Sequence, residues 1–246
     1  MLYIEKIYIE DGPEREGQYW NEIPLIKAVT ERGSFRFHKP VTFIVGENGM
    51  GKSTLLEAIA VCWGFNPEGG TKNMRFSTKE SHSNLCDHIR IARGPHYAHD
   101  GFFLRAESTY NVASEIDRLK TSGGNGEQFM QSYGGKSLHN QSHGESFMSI
   151  MQNRFGGNGL YILDEPEAAL SPTRQMAMLS LMKQLVDKDS QFIISTHSPI
   201  LMAYPDAEII ELDEQGFRAT PYKETSHYRL TSYFLNHTEK VLEQLM

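Results

Sequence analysis

The sequence predicts an α/β domain whose mostly parallel sheet is flanked by helices. Two observations carry this. Short, almost wholly apolar runs stand at 41–45 (VTFIV), 159–163 (GLYIL) and 191–195 (QFIIS), and such runs suit strands buried on both faces. Between them lie stretches with apolar residues at helical spacing, so strands and helices alternate along the chain.

Residues 2–9 (LYIEKIYI) alternate apolar and polar, as an edge or half-buried strand does. Residues 35–45 read as a strand, a turn at Lys39-Pro40 and a second strand. The N-terminal strands are expected to be antiparallel and to flank the main sheet. A helix is expected over 52–63, with Leu55, Leu56, Ile59 and Ala60 inward. Residues 64–100, rich in Gly, Asn, Ser, His and Asp, read as an irregular excursion. A strand over 101–106 and a helix over 109–120 follow. Residues 121–144 read as a loop or mobile lobe, with Gly123, Gly124, Gly134 and Gly135 as hinges. Helices are expected over 145–154 and 173–187, the second facing the core with Met176, Leu179, Leu181, Met182 and Leu185. Strands at 207–212 and 216–220 precede a closing helix over 229–245, read as docked on the core. The whole of 1–246 is expected to form one domain. Its core is about 1–75 and 155–246, and its inserted lobe about 76–154.

Composition narrows the function. With 39% hydrophobic and 22% charged residues the chain is an ordinary globular one. Its net charge of −7 argues against a whole surface built to grip nucleic acid, while leaving room for a local basic patch. Cys62 and Cys86 form no CxxC pair, which fits a reducing cytoplasm better than a disulfide framework. The charged first residues do not resemble a signal peptide, and no run approaches the roughly 20 apolar residues that span a bilayer. Any membrane part is expected on another chain. His82, Cys86, His88, His96 and His99 cluster, but at spacings of no standard zinc site.

Two motifs carry chemistry. GENGMGKST comprises Gly46, Glu47, Asn48, Gly49, Met50, Gly51, Lys52, Ser53 and Thr54 and satisfies G-x-x-x-x-G-K-[ST] between a strand and a helix. Its glycines let successive N–H groups face phosphate oxygens, and the helix adds its positive N-terminal end. Lys52 is expected on the β/γ-phosphates of ATP and the Ser53 hydroxyl on Mg²⁺. LYILDEP (160–166) is an apolar strand ending in two carboxylates. Asp164 is expected to bind Mg²⁺, and Glu165 to orient or deprotonate the attacking water.

With both motifs in place the chain resembles the ABC-type P-loop NTPases. SHGES (142–146) looks like a variant of the family signature, keeping Ser142, Gly144 and a polar Glu145. ALSP (169–172) looks like the loop after the acidic pair, and STHSP (195–199) like the switch-histidine loop, with His197 as the histidine. The match is closer to soluble ATPases of the chromosome-maintenance, recombination-repair and overcoming-lysogenization-defect branch than to transporters, and the whole chain resembles small stand-alone bacterial ATPases related to that branch. The resemblance implies a smaller signature-bearing lobe, hydrolysis through Glu165 and His197, and a homodimer closing on ATP. In that dimer Ser142, Gly144 and Glu145 meet the nucleotide held by the other subunit. It also implies an effector protein that the sequence does not name. The family's glutamine loop is not matched: Arg105 and Glu107 stand in its place, and Gln128 and Gln131 are poor substitutes. Glu107 is a candidate for the Mg²⁺ water shell. Phe35, Arg36 and Phe37 occupy a position suited to stacking on adenine, though core packing of the two phenylalanines is the better reading.

Overall fold

The computed structural model describes residues 1–10, 12, 15–74, 83–122, 131–135, 137–213 and 216–246, with the backbone alone for 120–122. His82 and, within the segment expected to be mobile, residues 123–130 and 136, including Gly123, Gly124 and Gln128, lie outside the described residues. Among those described, the strands form two sheets. Strands β1 (Ile4–Ile9), β2 (Phe35–Arg36) and β4 (Ile89–Arg93) make an antiparallel sheet in the order β2-β1-β4. The larger sheet has the order β5-β6-β7-β3-β8-β9, formed by β3 (Val41–Val45), β5 (Asp100–Arg105), β6 (Gly159–Asp164), β7 (Gln191–Ser195), β8 (Glu208–Asp213) and β9 (Gly216–Ala219). It is parallel except for the final β8–β9 pair.

The helices are α1 (Pro24–Glu31), α2 (Lys52–Trp63), α3 (Leu85–His88), α4 (Thr109–Ser122), α5 (His143–Arg154), α6 (Pro172–Val186), α7 (Pro199–Met202), α8 (Ser226–Asn236) and α9 (Thr238–Leu245). Because side chains alternate along a strand, the buried strands feed two cores. Val41, Phe43, Val45, Tyr161, Leu163, Phe192 and Ile194 point to one face, where α4, α5, α6 and α7 cover them. Ile44, Leu160, Ile162 and Ile193 point to the other, where α1, α2 and the antiparallel sheet cover them. This two-sided burial is why β3, β6 and β7 read as continuous apolar runs.

Several expectations are corrected. Of the two readings of β1 the half-buried one holds and the edge does not: it is the central strand of its sheet, and its alternation arises because one face looks to solvent. The excursion after α2 contains α3 and β4, whose IRIAR sequence is too polar to stand out from its surroundings. In 121–144, Tyr133 and Leu138 belong to the core. On α6 the buried residues include Met178, whereas Met176 is 55% exposed. The C-terminal helix is two helices, α8 and α9, broken at His237. Neither buries a residue, so the docked core helix is overturned: Leu230, Leu235 and Leu245 lie open to solvent. Phe35 and Phe37 are buried and pack on each other, and Phe35 also packs on Phe217, so neither ring offers a face to a base. Arg36 is exposed. No group of three or more metal-ligating side chains occurs among the described residues, and His82 of the histidine-rich stretch lies outside them.

Candidate active site

Parallel strands bring their C-terminal ends to one edge of a sheet, where α/β folds place their ligands. Here Arg105 is in register with Asp164, Asp164 with Ser195, and Ser195 with Ile44, one residue before the end of β3. The Gly46–Thr54 loop leaves that same edge. Gly51 has φ 94°, and a Cβ there would come within 2.0 Å of Ile23 Cγ2, so only glycine fits. The loop is also braced from α1, whose Leu25 N–H donates to the Met50 carbonyl at 3.2 Å.

Lys52 is 4% exposed and curls over the loop, donating to the carbonyls of Gly46 (2.7 Å) and Glu47 (3.0 Å). Burial lowers its pKa, against the opposing pull of Glu165, Asp164, Glu47 and Glu167. Ser53 Oγ donates to Asp164 Oδ1 at 3.0 Å, and Ser195 Oγ donates to the same oxygen at 2.5 Å. Burial raises the Asp164 pKa, and the hydroxyls of Ser195 and Ser53 and the charge of Arg105 oppose it. Glu47, Asn48 and Gly49 are exposed along the loop, Thr54 is half-buried in the first turn of α2, and Asn48 and Gly49 line a cleft of about 650 Å³. Ser53, Asp164, Glu165 and Glu107 line the same cleft.

Glu165 has φ 48°, a left-handed conformation that costs a bulky residue about 1–3 kcal/mol and marks functional sites. Its N–H donates to Ser195 O (3.2 Å) and Oγ (3.1 Å), which fixes the turn. His197 Nε2 stands 3.6 Å from Glu165 Oε1. The loop bearing His197 is clamped by Glu167, whose carboxylate accepts from the His197 N–H (2.5 Å) and from Thr196 Oγ1 (2.8 Å). Behind His197 lies His227, with Nδ1 of the former 3.0 Å from Nε2 of the latter.

The signature stretch caps α5. Ser142 and Glu145 form a capping box: the Glu145 N–H donates to Ser142 Oγ, and Ser142 N–H donates to Glu145 Oε2 at 2.9 Å. Glu145 is further held by Arg174 at 3.2 Å, so its carboxylate is already engaged. Gly144 is buried, and a Cβ there would meet Ala169 O and Arg174 Nη1, each at 2.6 Å. This close approach locks the signature onto the ALSP loop. Glu107 lines the cleft but is ion-paired to Arg105, whose guanidinium also binds Glu57 at 2.6 Å and stands 3.5 Å from Asp164. The structure thus brings Lys52, Ser53, Asp164, Glu165 and His197 together. Ser142 is exposed at the N-cap of α5. Reading the sequence missed Glu167, Ser195 and His227. The third carboxylate in DEPE could have pointed to Glu167; nothing local points to His227.

Comparison with known proteins fits this geometry. The AAA domain family matches residues 26–168, more than half of the chain, and the AAA ATPase domain family matches residues 144–202. The chain belongs to the AAA-domain family of ABC-type ATPases. As a member it binds and hydrolyses ATP. It is 28% identical over 172 residues to the thiamine import ATP-binding protein ThiQ of Ruegeria sp. (strain TM1040), a match spanning 63% of this chain and 70% of ThiQ. An uncharacterized ABC transporter ATP-binding protein of Haemophilus influenzae is 31% identical over 118 residues, spanning 42% of this chain and 45% of the relative. Among solved structures, CbiO1 of Clostridium perfringens shares the fold with a TM-score of 0.55 at 16% identity, over 100% of both chains. An SMC head bound to the C-terminal winged-helix domain of ScpA has a TM-score of 0.50 at 14% identity, over 89% of this chain and 97% of that one. No helix among the described residues is long and apolar enough to cross a membrane.

Proposed function

We propose that two copies of this chain close on ATP, each site combining the phosphate loop of one with the signature of the other, and that closure switches a partner protein. The observation that carries this is the convergence of Lys52, Ser53, Asp164, Glu165 and His197 on one sheet edge while Ser142 stands exposed on the lobe. The phosphate loop holds the triphosphate through its N–H groups and Lys52, which exchanges its carbonyl partners for phosphate oxygens. Glu165 accepts a proton from the attacking water, and His197 faces the same space.

The residues fit Mg²⁺. Asp164 is a buried carboxylate beside the Ser53 hydroxyl, an all-oxygen pair suited to a hard cation, and the Arg105 guanidinium 3.5 Å away offsets only part of the cost of burying its charge. Bound there, Mg²⁺ would offset the charge of the phosphates. Glu107 would join only by releasing Arg105.

The partner is proposed to act in DNA repair or anti-phage defence, following the branch that GENGMGKST and STHSP resemble. A transporter-motor role is the second reading, favoured by the names of the sequence relatives. Against it, the position of the coupling glutamine is taken by an arginine locked between carboxylates. The test is Glu165→Gln, which keeps shape and removes the proton acceptor. Light scattering should find monomer without nucleotide and dimer with saturating ATP and Mg²⁺. Monomer under both conditions would refute the shared site.

A further inference from the structure

His197 is held by a second histidine. His227 lies in the first turn of α8, and that turn is fixed on both sides: Thr225 caps the helix by accepting from the Tyr228 N–H at 3.3 Å, and the Ser226 N–H donates to Glu211 Oε1 on β8 at 2.7 Å. The His197 backbone is held just as firmly by Glu167. The two rings meet edge to face, with centroids 5.1 Å apart and Nδ1 of His197 3.0 Å from Nε2 of His227. The outer nitrogens, His197 Nε2 and His227 Nδ1, are buried and find no hydrogen-bond partner among the described residues.

A neutral imidazole carries one proton, so the short contact allows two arrangements. In the first, His197 donates from Nδ1. Its Nε2 lone pair then faces the Glu165 carboxylate at 3.6 Å, and His227 must carry its proton on Nδ1, a buried N–H without an acceptor. In the second, His227 donates from Nε2. His197 then carries its proton on Nε2, pointing towards the carboxylate, and the only unmatched atom at the far end is an acceptor. Buried N–H groups without acceptors are rarer than under-used acceptors, and a proton facing a carboxylate is attracted where a lone pair is repelled. Both comparisons favour the second arrangement. Burial also lowers both pKa values, that of His197 to about 4, which keeps the pair neutral near pH 7.

We propose that His227 is a positioning residue for hydrolysis, whose Nε2–H donates to Nδ1 of His197 and so holds the His197 proton on Nε2, facing Glu165 and the cleft. The partner on one ring nitrogen decides the tautomer of the other, and a histidine in the wrong tautomer cannot donate where it is needed. The proposal rests on the reading of Glu165 and His197 as the hydrolytic pair, and it makes the first turn of α8 part of the catalytic apparatus.

The experiment uses the full chain with ¹⁵N-labelled histidine. Two-bond ¹⁵N–¹H spectra without nucleotide should show His197 in the Nε2–H form. His227→Phe, which fills the space without a donor, should populate the Nδ1–H form. It should also lower kcat by about tenfold to a hundredfold, with KM for ATP within about twofold. His227→Gln, whose amide N–H₂ stands where Nε2 stood, should restore both tautomer and kcat. An Nδ1–H form of His197 in the wild type would overturn the proposal. So would an unchanged tautomer and kcat in His227→Phe, or equal losses in the Phe and Gln variants at an unchanged tautomer, which would mark His227 as packing. The spectra need no turnover, so they judge His227 apart from the hydrolytic reading: the Nε2–H form in the wild type combined with full activity in Glu165→Gln would count against that reading alone.

Discussion

Lys52 braces the phosphate loop through its own backbone. Its ammonium is buried and donates to the Gly46 and Glu47 carbonyls. Lys52→Ala removes a charge-assisted contact worth about 1.5–3 kcal/mol, so ATP affinity should fall by about 10- to 150-fold. Calorimetry measures it, and unchanged affinity would remove Lys52 from the site. The histidine pair makes a second prediction. The unfolded chain takes up protons on His197 and His227 as pH falls through the usual 6.5, while burial keeps both folded rings neutral to lower pH, His197 to about 4. Unfolding therefore binds protons in that window, and stability falls as pH drops from about 6.5 towards 4. Denaturant melts at pH 7 and pH 5 should show a smaller loss in a His197→Gln/His227→Gln variant than in the wild type. Equal losses would mean the pair is not held neutral.

Among elements, the phosphate loop and the C-terminal helices stand at opposite extremes of constraint. Gly51→Ala places a Cβ against Ile23 in a left-handed backbone. The backbone strain costs about 1–2 kcal/mol and the overpacking about 1–3 kcal/mol, for a loss of about 2–5 kcal/mol. Thermal melts should register it as a drop of several degrees, and a melt like the wild type would contradict the loop geometry. Deleting 238–246 removes α9, which buries nothing, so stability should stay within about 0.5 kcal/mol and ATPase activity should persist. A collapse in either would show that α9 is docked. The apolar faces of α8 and α9 were legible as helical spacing. That they stand free of the core was not, because periodicity reports that a face exists and not what covers it.

In the whole molecule, the proposed shared site joins the phosphate loop of one chain to the exposed Ser142 of another. Ser142→Arg should leave ATP binding to one chain nearly intact, since Lys52 and Ser53 are untouched, and should abolish hydrolysis in the closed dimer. The lost helix cap costs about 1 kcal/mol, too little to unfold the protein, and a melt alongside the ATPase assay verifies that. Full activity in this variant would show that SHGES is a loop and that each site is private.

The sequence by itself determined the α/β class, the strand–loop–helix at Gly46–Thr54 and the acidic end of β6. These are local: two-sided burial writes continuous apolar runs, and phosphate chemistry demands a fixed spacing of glycine, lysine and serine. Tertiary structure alone decided that Ser195 shares Asp164 with Ser53, that Arg105 is locked between Glu57 and Glu107, and that His227 backs His197. Apart from the local Arg105–Glu107 pair, those contacts join residues 30 to 111 positions apart. Their cause is the register of parallel strands and the return of α8 to the sheet edge, which no short spacing in the sequence encodes.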